Sequence, residues 1–172
     1  MRRAVWAPAL LTPPLATGLM VLWASQWGVP FNRPVLQLVS VIVLPVAMLI
    51  AIVRWVLTRQ GYFLWLAGLA AALTCAETHV AGSSVGVYVA MAGLIAVAWV
   101  KRAAMATYLA YRSVATLLAV AVVAYFIAES VDRDVWAWLP SEGRLGDAVE
   151  ETLELVGHCL LTVVAIISRK VH

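Results

Sequence analysis

Long apolar segments, each close to the length that a helix needs to cross a bilayer, dominate this sequence and limit what it can fold into. About 20 apolar residues are needed to span the hydrocarbon core as a helix. Of the 172 residues, 64% are hydrophobic and 12% are charged. Soluble domains carry about twice that share of charge, so the sequence excludes a soluble globular protein. It predicts an all-α fold, a polytopic membrane protein with no sizeable soluble domain.

Six segments have the length and apolarity of transmembrane helices, and we treat residues 1–172 as a single transmembrane helical domain. Their predicted bounds are 6–27, 35–53, 62–81, 85–100, 113–129 and 148–167. Residues 103–111 are mildly polar and are expected to lie at the membrane interface. The one substantial loop, 130–147, is predicted to lie on the outer side of the membrane, opposite the cytoplasm. It carries Trp136 and Trp138, whose indole rings favour the headgroup zone.

The distribution of positive charge predicts which way these helices face. With six helices and a cytoplasmic N-terminus, most cations lie on the cytoplasmic side, namely Arg2, Arg3, Arg54, Arg59, Lys101, Arg102, Arg112, Arg169 and Lys170. Only Arg33, Arg133 and Arg144 lie on the other side. Loops rich in Lys and Arg stay in the cytoplasm, so both termini are predicted to be cytoplasmic. A bundle of five helices is the alternative, but it would lose this agreement.

Composition also indicates the cellular setting. Ala, Val and Arg are abundant whereas Lys is scarce, which is typical of proteins from GC-rich bacteria. We therefore expect a multi-pass protein of the bacterial inner membrane. The sequence offers nothing in favour of nucleic-acid binding. Its expected surroundings are the lipid bilayer and either other membrane subunits or further copies of the chain in a homo-oligomer.

The strongest functional signal is a stripe of ionisable side chains that enters the sixth predicted helix. Glu151, Glu154 and His158 fall within about 60° of one another on an ideal helix. At a rise of 1.5 Å per residue, Glu154 lies about 7 to 9 Å and His158 about 15 Å below the outer helix end. Glu154 and His158 are four residues apart and share one face, which suits metal ligation or a proton relay. Ionisable groups at such depth are costly, so each needs a partner.

The third predicted helix adds Glu77 and His79 near the same outer end. Glu77 has the depth estimated for Glu154, so the two helices could bring carboxylates together at one level. Glu77 and His79 lie about 200° apart on an ideal helix, so one ion could bind both only if that turn unwinds. The candidate metal ligands are therefore Glu154, His158, Glu151, Glu77 and His79. The sequence does not identify a cofactor, and a divalent metal ion is the one candidate that this set suggests.

The same residues are also compatible with structural roles. Glu151 could complement the positive N-terminal end of the sixth helix. His158 could be a neutral histidine with one hydrogen-bond partner on another helix. Both alternatives stay open on sequence grounds.

Three functions from different classes follow, in the order in which we favour them. The first is a non-catalytic or accessory subunit that packs in a larger membrane assembly, with its buried acids fixing helix register. The second is a cation- or proton-binding site in the outer leaflet, for transport or sensing. The third is a metal-dependent intramembrane lipid hydrolase, with His158 and Glu154 among its ligands. The incomplete ligand set makes an enzyme the least favoured of the three.

Overall fold

Helices are the regular elements of this protein, which is described by a computed structural model covering residues 33–78, 83–132 and 144–169. In chain order they are α1 (Arg33–Thr58), α2 (Gly61–Glu77), α3 (Ser83–Val100), α4 (Arg102–Leu109), α5 (Arg112–Asp132) and α6 (Arg144–Ile167). Those three ranges contain no strand. The predicted all-α fold is therefore confirmed for the described residues.

Two of these helices are long and apolar enough to cross a membrane, through Val35–Thr58 of α1 and Arg112–Val131 of α5. The pair α3 and α4 would add a third span if it is counted as one span with a bend of 86°. Helix α2 is apolar but has only 17 residues. The described part of the chain thus holds two or three candidate spans, and the predicted helix 6–27 lies outside it.

Several helices extend beyond their predicted bounds, mainly at ends that carry charged residues. Helix α1 continues to Thr58 and passes through Arg54, where the sequence predicts that the second span stops. Helix α5 ends at Asp132 and α6 begins at Arg144, so both extend into the predicted loop 130–147. The central residues of that loop lie outside the described ranges. A spanning helix need not end at the membrane surface, because its backbone hydrogen bonds are satisfied equally well in water.

A tight turn through Arg59 joins α1 to α2. The backbone of Arg59 has a φ of 55°, in the left-handed region, and its N–H donates to the carbonyl of Trp55 at 2.7 Å. This arrangement ends a helix in the way that glycine commonly does. The N–H of Gln60 then donates to Oγ1 of Thr58 at 3.4 Å, and α2 begins at the next residue.

Helix α4 turns sharply away from α3. The two helix axes meet at 86° around Lys101. Within α4, Met105 and Tyr108 are buried and three residues apart, so they share one face, while most of its other side chains are exposed. A short helix of this kind, nearly perpendicular to an apolar one, fits the interfacial position expected for residues 103–111, which stays a prediction.

Contacts divide the chain into two units, and each is described by itself. The described part of the first unit comprises residues 33–40, 118–132 and 144–160. Its core is formed by α5 and α6, with Ala124, Ala128 and Leu153 buried and with Ile127 and Val149 packed against them. The predicted single domain over residues 1–172 stays a prediction.

The described part of the second unit comprises residues 41–78, 83–117 and 161–169. Its buried apolar side chains include Leu44, Ala47, Ala51, Tyr62, Phe63 and Leu66. Helix α2 packs closely on α3, where Nε1 of Trp65 donates to the carbonyl of Leu94 at 2.9 Å. A Cβ on Gly68 would lie 3.1 Å from the Leu94 side chain, which would have to shift by a few tenths of an ångström to make room for it.

Candidate functional site

Glu151 is a buried carboxylate that binds a second helix within the first unit. Its side chain is only 2% exposed. Its Oε1 accepts a hydrogen bond from Nε2 of Gln37, in α1, at 2.8 Å. A buried polar side chain that has no hydrogen-bond partner costs about 1 to 3 kcal/mol, so this contact matters for stability. Glu151 therefore connects α6 to α1 and does more than complement the positive end of its own helix.

His158 lies seven residues further along α6, at a close crossing with α5. The imidazole is 1% exposed, and its ring centroid lies 5.5 Å from that of Tyr125. The neighbouring Gly157 allows this approach, since a Cβ there would lie 2.7 Å from Cζ of Tyr125. Small residues permit such close contact between helices in membranes. His158 is thus part of the packed surface between α5 and α6.

The other candidate metal ligands are distributed over the two units. Glu154 is half-buried in the first unit, together with Glu151 and His158, whereas the half-buried Glu77 belongs to the second unit. His79 lies outside the described residues. Within the described ranges, no group of three or more His, Cys, Asp or Glu side chains could hold a metal ion. The five-residue ligand set and its divalent ion stay a prediction.

Gln37 and Tyr125, the neutral partners of Glu151 and His158, are not among the residues predicted from sequence. Each stands in an apolar segment, where a polar side chain needs a partner and is itself a signal. The identity of that partner depends on which helix faces meet. Periodicity within one helix carries no such information.

Arg54 forms a second polar cluster, at the C-terminal end of α6 in the second unit. Its Nη1 donates to the carbonyls of Ala165 at 2.8 Å and Ile166 at 2.5 Å. Its Nη2 donates to the carbonyl of Ser168. The last carbonyls of a helix have no partner within the helix and carry its negative dipole end. Arg54 satisfies several of them at once and so joins α1 to α6.

Aromatic side chains complete this cluster. The guanidinium of Arg54 lies 4.3 Å from the ring centroid of Phe63, close enough for a cation–π interaction. Tyr62 stacks on Tyr108 with centroids 4.1 Å apart and planes 5° from parallel, and its hydroxyl is 3.1 Å from Oγ of Ser168. Burial raises the pKa of Tyr108, and the charge of Arg54 opposes that rise. The Tyr108 phenol is therefore protonated and remains a donor at neutral pH.

Comparisons with known proteins add no relative. No protein-family model, curated protein or solved structure matches the chain. The two polar clusters, one in each unit, share one property: an ionisable side chain forms a hydrogen bond with a neighbouring helix of the same chain.

Proposed function

We propose that this chain is a non-catalytic subunit of a larger membrane assembly. The hydrogen bond between Gln37 and Glu151 is the observation that carries the proposal, because it uses a buried ionisable group to join two helices. Arg54 joins α1 to α6 in a similar way in the second unit. Buried polar contacts between helices fix the register of those helices, since sliding of one helix would leave a buried polar group without its partner.

The proposed arrangement in the membrane has six spans, with both termini in the cytoplasm of a bacterial cell and the protein in its inner membrane. The apolar helices α1 and α5 support a membrane location. The excess of Lys and Arg on one set of helix ends supports the orientation.

Helix α3 supports the proposal that other transmembrane helices pack against this chain. Its exposed apolar side chains are Val85, Tyr88, Val89, Ile95, Val97, Trp99 and Val100. Gly86 and Gly93 share a face, and a Cβ built on either glycine meets no atom within 4 Å. Association of helices in lipid depends on close packing, for which small residues are favoured. We propose that a transmembrane helix of a partner subunit occupies this face.

Mass measurement of the intact assembly tests this proposal. The chain would carry an affinity tag and be extracted from its native membrane in mild detergent. We expect a defined hetero-complex. Gly93→Leu should release the chain from it, because the added side chain enters space that is open within the chain itself and would clash with a partner helix. Ala103→Leu adds comparable bulk at an exposed position of α4, away from this face of α3, and is the control, which should leave the complex intact.

Three results would contradict the proposal or its docking helix. A monomer in every detergent tested would exclude an assembly. A homo-oligomer that contains stoichiometric metal would instead favour a cation-binding site. Equal recovery of complex from the Gly93 and Ala103 variants would exclude α3 as the docking helix.

A further inference from the structure

The second unit carries a set of exposed cations, each near the end of a helix. They are Arg59, between α1 and α2, Lys101 and Arg102, where α3 meets α4, Arg112, at the start of α5, and Arg169, just after α6. We call these side chains the basic surface. Arg54 is not one of them, because it is partly buried and donates to the C-terminal carbonyls of α6. The charges of the basic surface are accessible to a partner outside the chain.

Side-chain contacts bring these helix ends together at one end of the second unit. Tyr62, near the start of α2, stacks on Tyr108 of α4 with ring centroids 4.1 Å apart. The hydroxyl of Tyr62 lies 3.1 Å from Oγ of Ser168, just after α6. Gln60, which precedes α2, and Lys101, which precedes α4, line one cavity. The cations beside these residues therefore belong to one end of the unit.

In the described part of the second unit, no acid balances the basic surface. The single acid of that part is Glu77, the last residue of α2. At 1.5 Å per residue, Glu77 lies about 24 Å along the helix axis from Gly61, where α2 begins. At physiological ionic strength, exposed charges are largely screened beyond about 8 Å. A surface of one sign attracts ligands of the other sign, so the partner that fits is anionic.

Three arginines of the basic surface each lie over an aromatic ring. The pairs, with the distance from guanidinium carbon to ring centroid, are Arg59 with Trp55 at 5.7 Å, Arg102 with Trp99 at 5.5 Å and Arg169 with Tyr111 at 5.5 Å. Distances within about 6 Å allow a cation–π interaction. A guanidinium that faces a ring still has N–H donors at its edge, and these match the oxygens of a phosphate. Tryptophan and tyrosine beside basic residues are typical of the cytoplasmic membrane–water interface.

We propose that the basic surface binds the phosphodiester headgroups of anionic phospholipids at the cytoplasmic face of the membrane. The three arginines that lie over rings bind phosphate oxygens, and the other two cations add to the attraction. Clusters of Lys and Arg at the cytoplasmic ends of membrane helices are suited to anionic headgroups. Trp99, beside Arg102, is 72% exposed, which favours a lipid over an acidic protein segment because its ring needs an apolar neighbour. The inference rests on the proposed membrane orientation, and it does not require a partner subunit.

Native mass spectrometry of the purified full chain in detergent tests the proposal. One probe is dioleoyl phosphatidylglycerol, which is anionic. The other is dioleoyl phosphatidylcholine, which has the same acyl chains and a phosphate but no net charge. Titration with each lipid gives the number of bound molecules and the apparent Kd. We expect phosphatidylglycerol to bind at least about tenfold more tightly, and this preference should decrease as ionic strength rises, because salt screens exposed charges.

Two pairs of variants locate the binding surface. Arg102→Gln removes one cation and should weaken binding of phosphatidylglycerol about fivefold. Trp99→Leu removes the ring beside that cation and should weaken binding about two- to fivefold. The controls are Arg144→Gln, which removes a cation at the start of α6 in the first unit, and Tyr88→Leu, which replaces an exposed ring about three turns before Trp99 in α3. Both controls should bind as the wild type does, and circular dichroism would verify that all four variants retain their helices.

Three outcomes would overturn the lipid proposal. The first is equal affinity for the two lipids. The second is equal weakening by Arg102→Gln and Arg144→Gln, which would show a response to net charge alone. The third is binding of poly-glutamate without a preference for phosphatidylglycerol, which would identify an acidic protein partner instead.

The lipid measurements are independent of the subunit proposal, because they use the isolated chain. Gly93→Leu, the variant that tests the docking face of α3, should bind phosphatidylglycerol as the wild type does. A preference for phosphatidylglycerol in a chain that forms no hetero-complex would therefore support the lipid surface and contradict the subunit role alone.

Discussion

At the scale of single residues, Glu151 gives the most direct prediction. Glu151→Ala should lower the free energy of unfolding by about 1 to 3 kcal/mol, because the amide of Gln37 loses its acceptor inside the protein. Glu151→Gln keeps a carbonyl acceptor and should cost less. Denaturant unfolding in detergent, followed by circular dichroism, measures both. Glu129→Ala, at an exposed acid on α5, is the control, and an equal loss there would contradict a structural role for Glu151.

Variants of His158 and Glu154 distinguish a packing role of these side chains from a functional site. Since His158 is buried against Tyr125, we expect His158→Ala to lower the melting temperature and assembly yield more than Glu154→Gln. The double variant should show partly additive effects. Elemental analysis of metal in all three proteins is the second readout. Complete loss of metal or activity in either single variant, with no further loss in the double variant, would show one functional unit instead.

At the scale of whole helices, Arg54 is the connection to test. Arg54→Gln should cost about 1.5 to 3 kcal/mol, because the C-terminal carbonyls of α6 lose a charged donor. Arg54→Lys keeps the charge without the planar fork that reaches several carbonyls, so it should recover only part of the stability. The melting temperature in detergent measures both changes. Arg112→Gln, at an exposed position at the start of α5, should have little effect, and a similar loss there would contradict the proposed link.

The helices themselves are far easier to predict from sequence than the contacts between them. The length of the apolar segments alone predicts α1 and α5, because a helix is the structure in which one apolar segment satisfies its own backbone hydrogen bonds inside a membrane. From sequence, Arg54 is expected to end a span, since a charge usually marks the membrane surface. In the structure Arg54 stays within α1, because the carbonyls at the end of α6 accept its hydrogen bonds. These carbonyls lie more than a hundred residues from Arg54 in the sequence. A pattern within one segment therefore cannot predict the contact.

In the candidate site too, the positions of residues on one helix can be predicted from sequence, whereas their partners on other helices cannot. The polar stripe of Glu151, Glu154 and His158 follows from helical spacing, and the structure places all three on α6. Gln37, which binds Glu151, and Tyr125, which packs against His158, lie on other helices. Depth along a helix can be estimated from the rise per residue. The rotation of a helix toward its neighbours depends on packing, which one sequence does not specify.

At the scale of the whole molecule, both proposals depend on a membrane bundle whose basic helix ends face the cytoplasm. Labelling of single cysteines with a membrane-impermeant maleimide tests this most directly, after the free Cys75 and Cys159 are replaced by serine. In intact spheroplasts, we expect Glu142→Cys to be labelled. Lys101→Cys and Arg169→Cys should react only after permeabilisation. Labelling of the last two in intact spheroplasts, or protection of the first, would contradict the proposed orientation.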